Sequence, residues 1–271
     1  MRLVTPLTVT LLSLALGGSL LLNLTLYQSS RRYYTHWKHL HLDPLGLTQY
    51  PTSFPDHTAL NFQEPDPNRK FVVVLGDSRA ANWTVGLPDS VEVINRGIPG
   101  QTTGQIVGRT QAHLQDLKVQ AVVVQMGIND LTMIPLFPQQ ERAIIETCKA
   151  NFLTLVGEVH SLGAKVVLTT LFPLGQVPWE RQLIWSDRVG LAVEEINDFI
   201  RSLDGAEGVY VLDAARALQQ LSALEIQPQY SQDLLHINEA GYDRLNTDLI
   251  PVLHEVLDLL TPIDGQEVIR S

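Results

Sequence analysis

Phe71-Val72-Val73-Val74-Leu75 runs straight into Gly76-Asp77-Ser78. A continuous apolar run rich in valine is what a strand buried on both faces requires, and the Gly-Asp-Ser after it has the composition of a turn. Runs of the same kind recur at 91–94, 119–125, 165–170 and 209–212, so five strands are expected. Helical patterns fall near 102–116, 139–162 and 181–203. A last one over 239–260 places Tyr242, Leu245, Leu249, Leu253, Val256 and Leu260 on one face, with Pro251 expected to kink it. Strands separated by helices of this length need right-handed crossovers. The expected class is therefore α/β, a doubly wound parallel sheet with helices on both sides. In such sheets reactive groups collect at the carboxyl ends of the strands.

Composition narrows the function. The 271 residues are 45% hydrophobic and 18% charged, with a formal charge of −10. That balance opposes a phosphate backbone, and no basic stripe interleaved with aromatics follows residue 70, so nucleic acid is excluded as a partner. The single cysteine, Cys148, rules out an intramolecular disulfide and a thiolate metal cluster. Its neighbours Ile144, Ile145 and Phe152 suggest a buried helical position. No Gly-x-Gly-x-x-Gly follows the first strand and no Gly-Lys-Ser/Thr loop occurs, which argues against a nucleotide or flavin role.

From Leu3 to Ser30 no residue is charged, and 7–27 is dominated by leucine. This is long enough for a bilayer core of roughly 30 Å and longer than the apolar region of a usual signal peptide, so an uncleaved anchor is favoured over a cleaved signal. Arg2 before the run against Arg31, Arg32 and Lys38 after it favours a cytoplasmic domain, although long C-terminal domains translocate regardless of such counts. Residues 1–29 are thus expected as the membrane segment, 30–69 with its five prolines as a linker, 70–262 as the catalytic domain and 263–271 as a tail. His36, His39 and His41 beside Tyr33, Tyr34 and Trp37 read as a membrane-interface belt rather than a metal site.

Three segments lie just past expected strand ends: Gly76-Asp77-Ser78, Asn95-Arg96-Gly97 and Gly127-Ile128-Asn129-Asp130. A fourth, Asp233-Leu234-Leu235-His236, precedes the last helix. Taken alone, Ser78 reads as a helix cap. As a nucleophile it needs a base within hydrogen-bond reach. Of the eight histidines, His113, His160 and His254 fall within helices and His36, His39, His41 and His57 precede the core. His236 remains, three residues after a carboxylate that would fix its tautomer. The N–H of Ser78, the N–H of Gly97 and the Asn129 carboxamide are candidate donors to an oxyanion, each worth about 10² to 10³ in rate. Singly, a glycine turn and an Asx turn explain Gly97 and Asn129 as well. Their coincidence with Ser78 and His236 favours acyl transfer.

These blocks resemble the SGNH hydrolases, also called GDSL-type esterases and lipases, over residues 71 to about 260. The resemblance extends to Ile237-Asn238-Glu239-Ala240-Gly241-Tyr242 after the histidine. It implies a flavodoxin-like three-layer fold, a Ser78-Asp233-His236 triad, an oxyanion hole from Ser78, Gly97 and Asn129, and ester or thioester hydrolysis without metal or cofactor. The expected substrate is a small-molecule, lipid or acylated-carbohydrate ester: a membrane anchor invites a lysophospholipase reading, carbohydrate deacetylases and O-acetyltransferases share the same residue set, and a catalytically silent envelope-binding module is a further reading. Arg79 replaces the family's usual apolar residue after the serine and is expected to be a solvated first-turn side chain, or else a positive charge at the mouth of the site. Apolar stretches 131–138 and 171–185 are expected either to wall an acyl pocket or to belong to the core.

Overall fold

A computed structural model describes residues 6–42, 69–115, 117–182, 184–220 and 225–259. Met1–Asp43 and Pro44–Ser271 form two separate compact units.

The first unit is one helix, α1, Pro6–Leu42. Its 29-residue stretch Pro6–Tyr34 contains an 18-residue window with a mean hydropathy of 1.8, none of which is buried. At 1.5 Å per residue those 29 residues extend about 43 Å, longer than a bilayer core of about 30 Å. The helix is long and apolar enough to cross a membrane, a test that a signal sequence also passes. It continues through 30–42, the start of the expected linker, because no proline interrupts the chain before Pro44. The side chains of His36, His39 and His41, the rest of the linker to residue 68, His57 and the tail from Leu260 lie outside the described residues.

In the second unit all five expected strands form: β1 Lys70–Gly76, β2 Val91–Gly97, β3 Val119–Gln125, β4 Lys165–Thr169 and β5 Val209–Leu212. They make one parallel sheet in the order β2-β1-β3-β4-β5. Between them lie α2 Ser78–Ala81, α3 Thr103–Leu114, α4 Ile128–Leu131, α5 Glu141–Ser161 and α6 Arg188–Arg201, and α7 Ala214–Leu218 and α8 Glu239–Val256 follow β5. The helix expected from residue 181 begins only at Arg188, after a separate 3-10 turn at Trp179–Arg181 behind Pro178. Pro251 is accommodated within α8 on its exposed side.

Alternation along the strands divides the core into two layers. Val72, Val74, Ala121, Val123 and Val167 pack with Leu245, Leu249, Leu253 and Val256 of α8 and with Ala214 and Leu218 of α7. Val73, Val122, Val124, Val166 and Leu168 point the other way and are fully buried beneath α3, α5 and α6, which pack on one another in that order. Cys148 is buried in α5, as its apolar neighbours suggested. Chain order reverses at β1, which has β2 on one side and β3 on the other. Parallel sheets open a crevice beside the carboxyl ends at such a switch point. Register places Gly76 opposite Gly97 of β2 and Gln125 of β3, so three of the four motif segments leave the sheet side by side.

Candidate active site

The serine turn is set by two neighbours of Ser78. A Cβ on Gly76 would fall 1.8 Å from Gln125 O, so only glycine lets β1 and β3 meet there. Asp77 caps α2, its Oδ1 accepting from the Arg79 N–H at 2.8 Å, and its own N–H donates to Gln125 O at 3.2 Å. Ser78 becomes the first helical residue, half-buried at the rim of the sheet, and its N–H has no acceptor among the described residues.

His236 arrives from 158 residues away, with Nε2 at 2.9 Å from Ser78 Oγ. Its other ring nitrogen, Nδ1, lies 3.1 and 3.0 Å from the two oxygens of Asp233. A carboxylate can only accept, so Nδ1 carries the proton and Nε2 is left to accept from the serine hydroxyl. Asp233 Oδ1 also accepts from the N–H groups of Leu235 and His236, both at 2.8 Å. Burial pushes the Asp233 carboxyl up, but the hydrogen bonds from His236 and those two N–H groups outweigh it and hold the group below the ordinary carboxylate range. The turn is fixed from outside as well. Gly175 N–H donates to Leu234 O at 2.8 Å, at an approach so close that a Cβ there would lie 2.3 Å from Asp233 O. Asn238 caps α8 by accepting from Gly241 N–H at 3.1 Å.

Of the other two expected donors, Gly97 ends β2 and Asn129 lies in α4 just past β3, and both are engaged. Gly97 N–H donates to Asn95 Oδ1 at 2.8 Å, while Asn95 Nδ2 donates to the carbonyls of Ala80 and Trp83. A Cβ on Gly97 would sit 2.1 Å from Ala81 N, so this glycine is required for α2 to lie against β2. Asn129 Nδ2 donates to Gln101 O at 2.9 Å. Beside it, Asp130 accepts from Thr103 N–H at 2.9 Å and Thr103 Oγ1 at 2.6 Å, tying α4 to α3.

Arg79 is the main correction to the sequence reading. It is not solvated: the residue is 0% exposed. Nor is it at the mouth of the site, since its guanidinium turns inward and donates to Leu235 O at 2.7 Å. Arg109, which the sequence did not single out, is buried on α3 and donates to Gln101 Oε1 at 2.6 Å and Gly76 O at 2.9 Å. Of the apolar stretches expected either to wall a pocket or to join the core, Leu131, Met133, Ile134, Leu171 and Phe172 are core, each at most 1% exposed. Trp179 is 82% exposed. A groove of about 440 Å³ adjoins Asp233, lined by Gln176, Gln220, Ser231 and Gln232 together with Ile226 and Pro228.

Burial raises Asp77 and Asp130 to about 6, against an ordinary 3.8. The native state therefore retains protons that the unfolded chain has released, and these groups stabilise fully below about pH 4 and progressively less as pH rises through 6. Each contributes at most about 3 kcal/mol to that decline. Asp130→Asn is expected to remove its share: whatever the variant's overall stability, its denaturation midpoint should fall less than the wild type's between pH 4 and 6. Parallel curves would show that Asp130 keeps the same charge in both states.

A sharp strand-to-helix serine at the switch point of a doubly wound sheet, paired with an imidazole, marks the chain as a serine hydrolase that acts on esters. It belongs to the GDSL-like lipase/acylhydrolase family, whose model matches residues 64–244. Among solved structures, a GDSL-like lipase from Bacteroides thetaiotaomicron is similar at 22% identity and a TM-score of 0.59, over 72% of this chain and 92% of that one. The inhibitor-bound aryl esterase of M. smegmatis is similar at 18% identity and 0.53, over 69% and 99%. A carbohydrate acetylesterase from Sinorhizobium meliloti is similar at 16% and 0.53, over 69% and 100%. At these identities the likeness is one of fold. No curated protein matches the chain.

Proposed function

We propose that this protein is a membrane-anchored serine esterase that works through an acyl-enzyme on Ser78. Ser78 Oγ attacks the acyl carbonyl, His236 Nε2 takes the hydroxyl proton, and Asp233 steadies the imidazolium that forms. The 2.9 Å contact between Ser78 Oγ and His236 Nε2, with Asp233 on the far ring nitrogen, carries this reading. The Ser78 N–H faces the developing oxyanion. Asn129 Nδ2 and Gly97 N–H complete the hole by exchanging their present acceptors, Gln101 O and Asn95 Oδ1, for the charged oxygen, a stronger acceptor. His236 then returns the proton to the departing alkoxide. Water, deprotonated by the same imidazole, attacks the acyl-enzyme, releasing the carboxylic acid and freeing Ser78. In this reading the apolar N-terminal segment anchors the chain, 30–69 links it, and 70–262 is the catalytic domain.

The buried apolar stretches and the groove beside Asp233 bear on the substrate class. With Leu131, Met133, Ile134, Leu171 and Phe172 committed to the core, these side chains wall no channel for a long acyl chain. The groove next to Asp233 sets carboxamides and a hydroxyl from Gln176, Gln220, Ser231 and Gln232 beside apolar surface from Pro178, Ile226, Pro228 and Leu234, and its polar part suits a polar alcohol. A short acyl group on a hydroxyl-rich alcohol fits both features, and this favours carbohydrate deacetylation as the second reading. One of the similar structures is described as a carbohydrate acetylesterase, and that class of substrate is consistent with the groove. Across p-nitrophenyl esters, kcat/KM for acetate should exceed that for octanoate by at least about tenfold, because the apolar side chains that follow β3 and β4 are committed to the core and open no channel for added methylenes. An octanoate preference would contradict the short-chain assignment. Free acetate as the product in the presence of a sugar acceptor separates hydrolysis from O-acetyl transfer.

A further inference from the structure

Arg79 follows the serine directly, is fully buried, and contacts both halves of the site. Its Nε donates to Leu235 O at 2.7 Å and its Nη1 to Phe172 O at 3.4 Å. The guanidinium carbon lies 5.1 Å from the centre of the Phe172 ring. Phe172, Trp83 and Tyr242 pack on one another with centroids 5.9 to 6.3 Å apart, and the Tyr242 hydroxyl donates to Arg79 O at 2.8 Å. The partners of the guanidinium are thus carbonyls and a ring face. Asp77 and Asp233 act on it from a distance.

Such a setting is costly for a cation. Burial pulls the Arg79 guanidinium down to about 10, and an apolar side chain of similar volume would fill the same buried space at less expense. What an apolar residue cannot supply is a donor. The peptide unit between Leu235 and His236 is gripped at both ends: its carbonyl by Arg79 and its N–H by Asp233 Oδ1 at 2.8 Å. Held in that way, the backbone of His236 has a fixed place and plane. The clamp originates one residue from the nucleophile, so it relates the two reacting side chains directly across 158 residues of chain.

We propose that Arg79 is a positioning residue, which ties the Asp233–His236 turn to the Ser78 turn and so keeps the imidazole within reach of the hydroxyl. This rests on the acyl-enzyme chemistry proposed above.

The test uses the full chain with Arg79→Met, which keeps the volume and removes the donors, and Arg79→Lys, which keeps the charge and a single donor group but not the planar fork. Three readouts are taken: the rate of fluorophosphonate labelling, kcat and KM with a p-nitrophenyl ester, and the thermal midpoint. For Arg79→Met, labelling rate and kcat should fall at least about thirtyfold, since a displacement of about 1 Å between reacting groups can cost about a hundredfold, with KM within about threefold and the midpoint retained. Arg79→Lys should fall between that variant and the wild type. If Arg79→Met does not fold, Arg79→Lys decides alone, by lower kcat at wild-type KM. Wild-type labelling in either folded variant, or losses that only follow the folded fraction or KM, would overturn the proposal. The underlying chemistry is judged separately, by whether wild type labels and Ser78→Ala does not.

Discussion

Ser78→Ala is expected to lower kcat by about 10⁴- to 10⁶-fold while leaving the thermal midpoint in place. The loss is that large because every covalent step passes through one oxygen atom; what survives is binding and whatever oxyanion stabilisation acts on a direct attack by water. The fold should be indifferent. Ser78 caps nothing, since Asp77 is the residue that caps α2, and its hydroxyl is paired with His236 alone. Alanine is the best helix former and suits the first position of α2. KM should move little, which distinguishes loss of the nucleophile from loss of substrate contact. Measurement of kcat, KM and midpoint on the same preparation checks all three.

Asp233→Asn is expected to cost about 10³- to 10⁴-fold in kcat, again with the structure retained. The carboxamide oxygen can keep the backbone bonds from Leu235 and His236, so the turn survives. Its NH2 group, however, now faces His236 Nδ1 as a donor. That reverses the tautomer, placing a hydrogen on Nε2 where Ser78 Oγ needs an acceptor. The side chain of Asp233 is 53% exposed, and partial solvation favours the lower end of the range. A rate within tenfold of wild type would mean that the carboxylate merely braces the turn.

Why some of this was legible in the sequence and some was not comes down to the distance over which each property is set. β1 and β3 announce themselves because a strand covered on both faces must be apolar at every position, and Val72 to Leu75 and Ala121 to Val124 are all fully buried. The face of α8 is equally plain, with Tyr242, Leu245, Leu249, Leu253 and Val256 recurring at helical spacing. By contrast α2 and α4 are four residues each, too short for any periodicity, and only the Gly-Asp-Ser and Gly-x-Asn-Asp blocks marked their places. Arg79 was misjudged because nothing local determines whether a cation is buried; the carbonyls that accept from it lie 156 and 93 residues away. Arg109 was passed over for the same reason, its partners being Gln101 and Gly76. At Gly97 the sequence suggested a donor, and the coordinates add a packing demand from Ala81 and a local acceptor in Asn95. The contact of Ser78 with His236 could be expected in kind, since a hydroxyl, an imidazole and a carboxylate stood at those positions. Its geometry came from elements the pattern did not reveal, among them Gly175 and the Arg79 side chain.

The most direct measurement is peptide mapping of the adduct that a fluorophosphonate probe forms with the full chain. A serine activated by a neighbouring imidazole should carry the phosphonyl group at Ser78, with Ser78→Ala unlabelled and His236→Ala labelled slowly or not at all. An adduct on another residue, or equal labelling of wild type and Ser78→Ala, would contradict the assignment of Ser78 as the nucleophile.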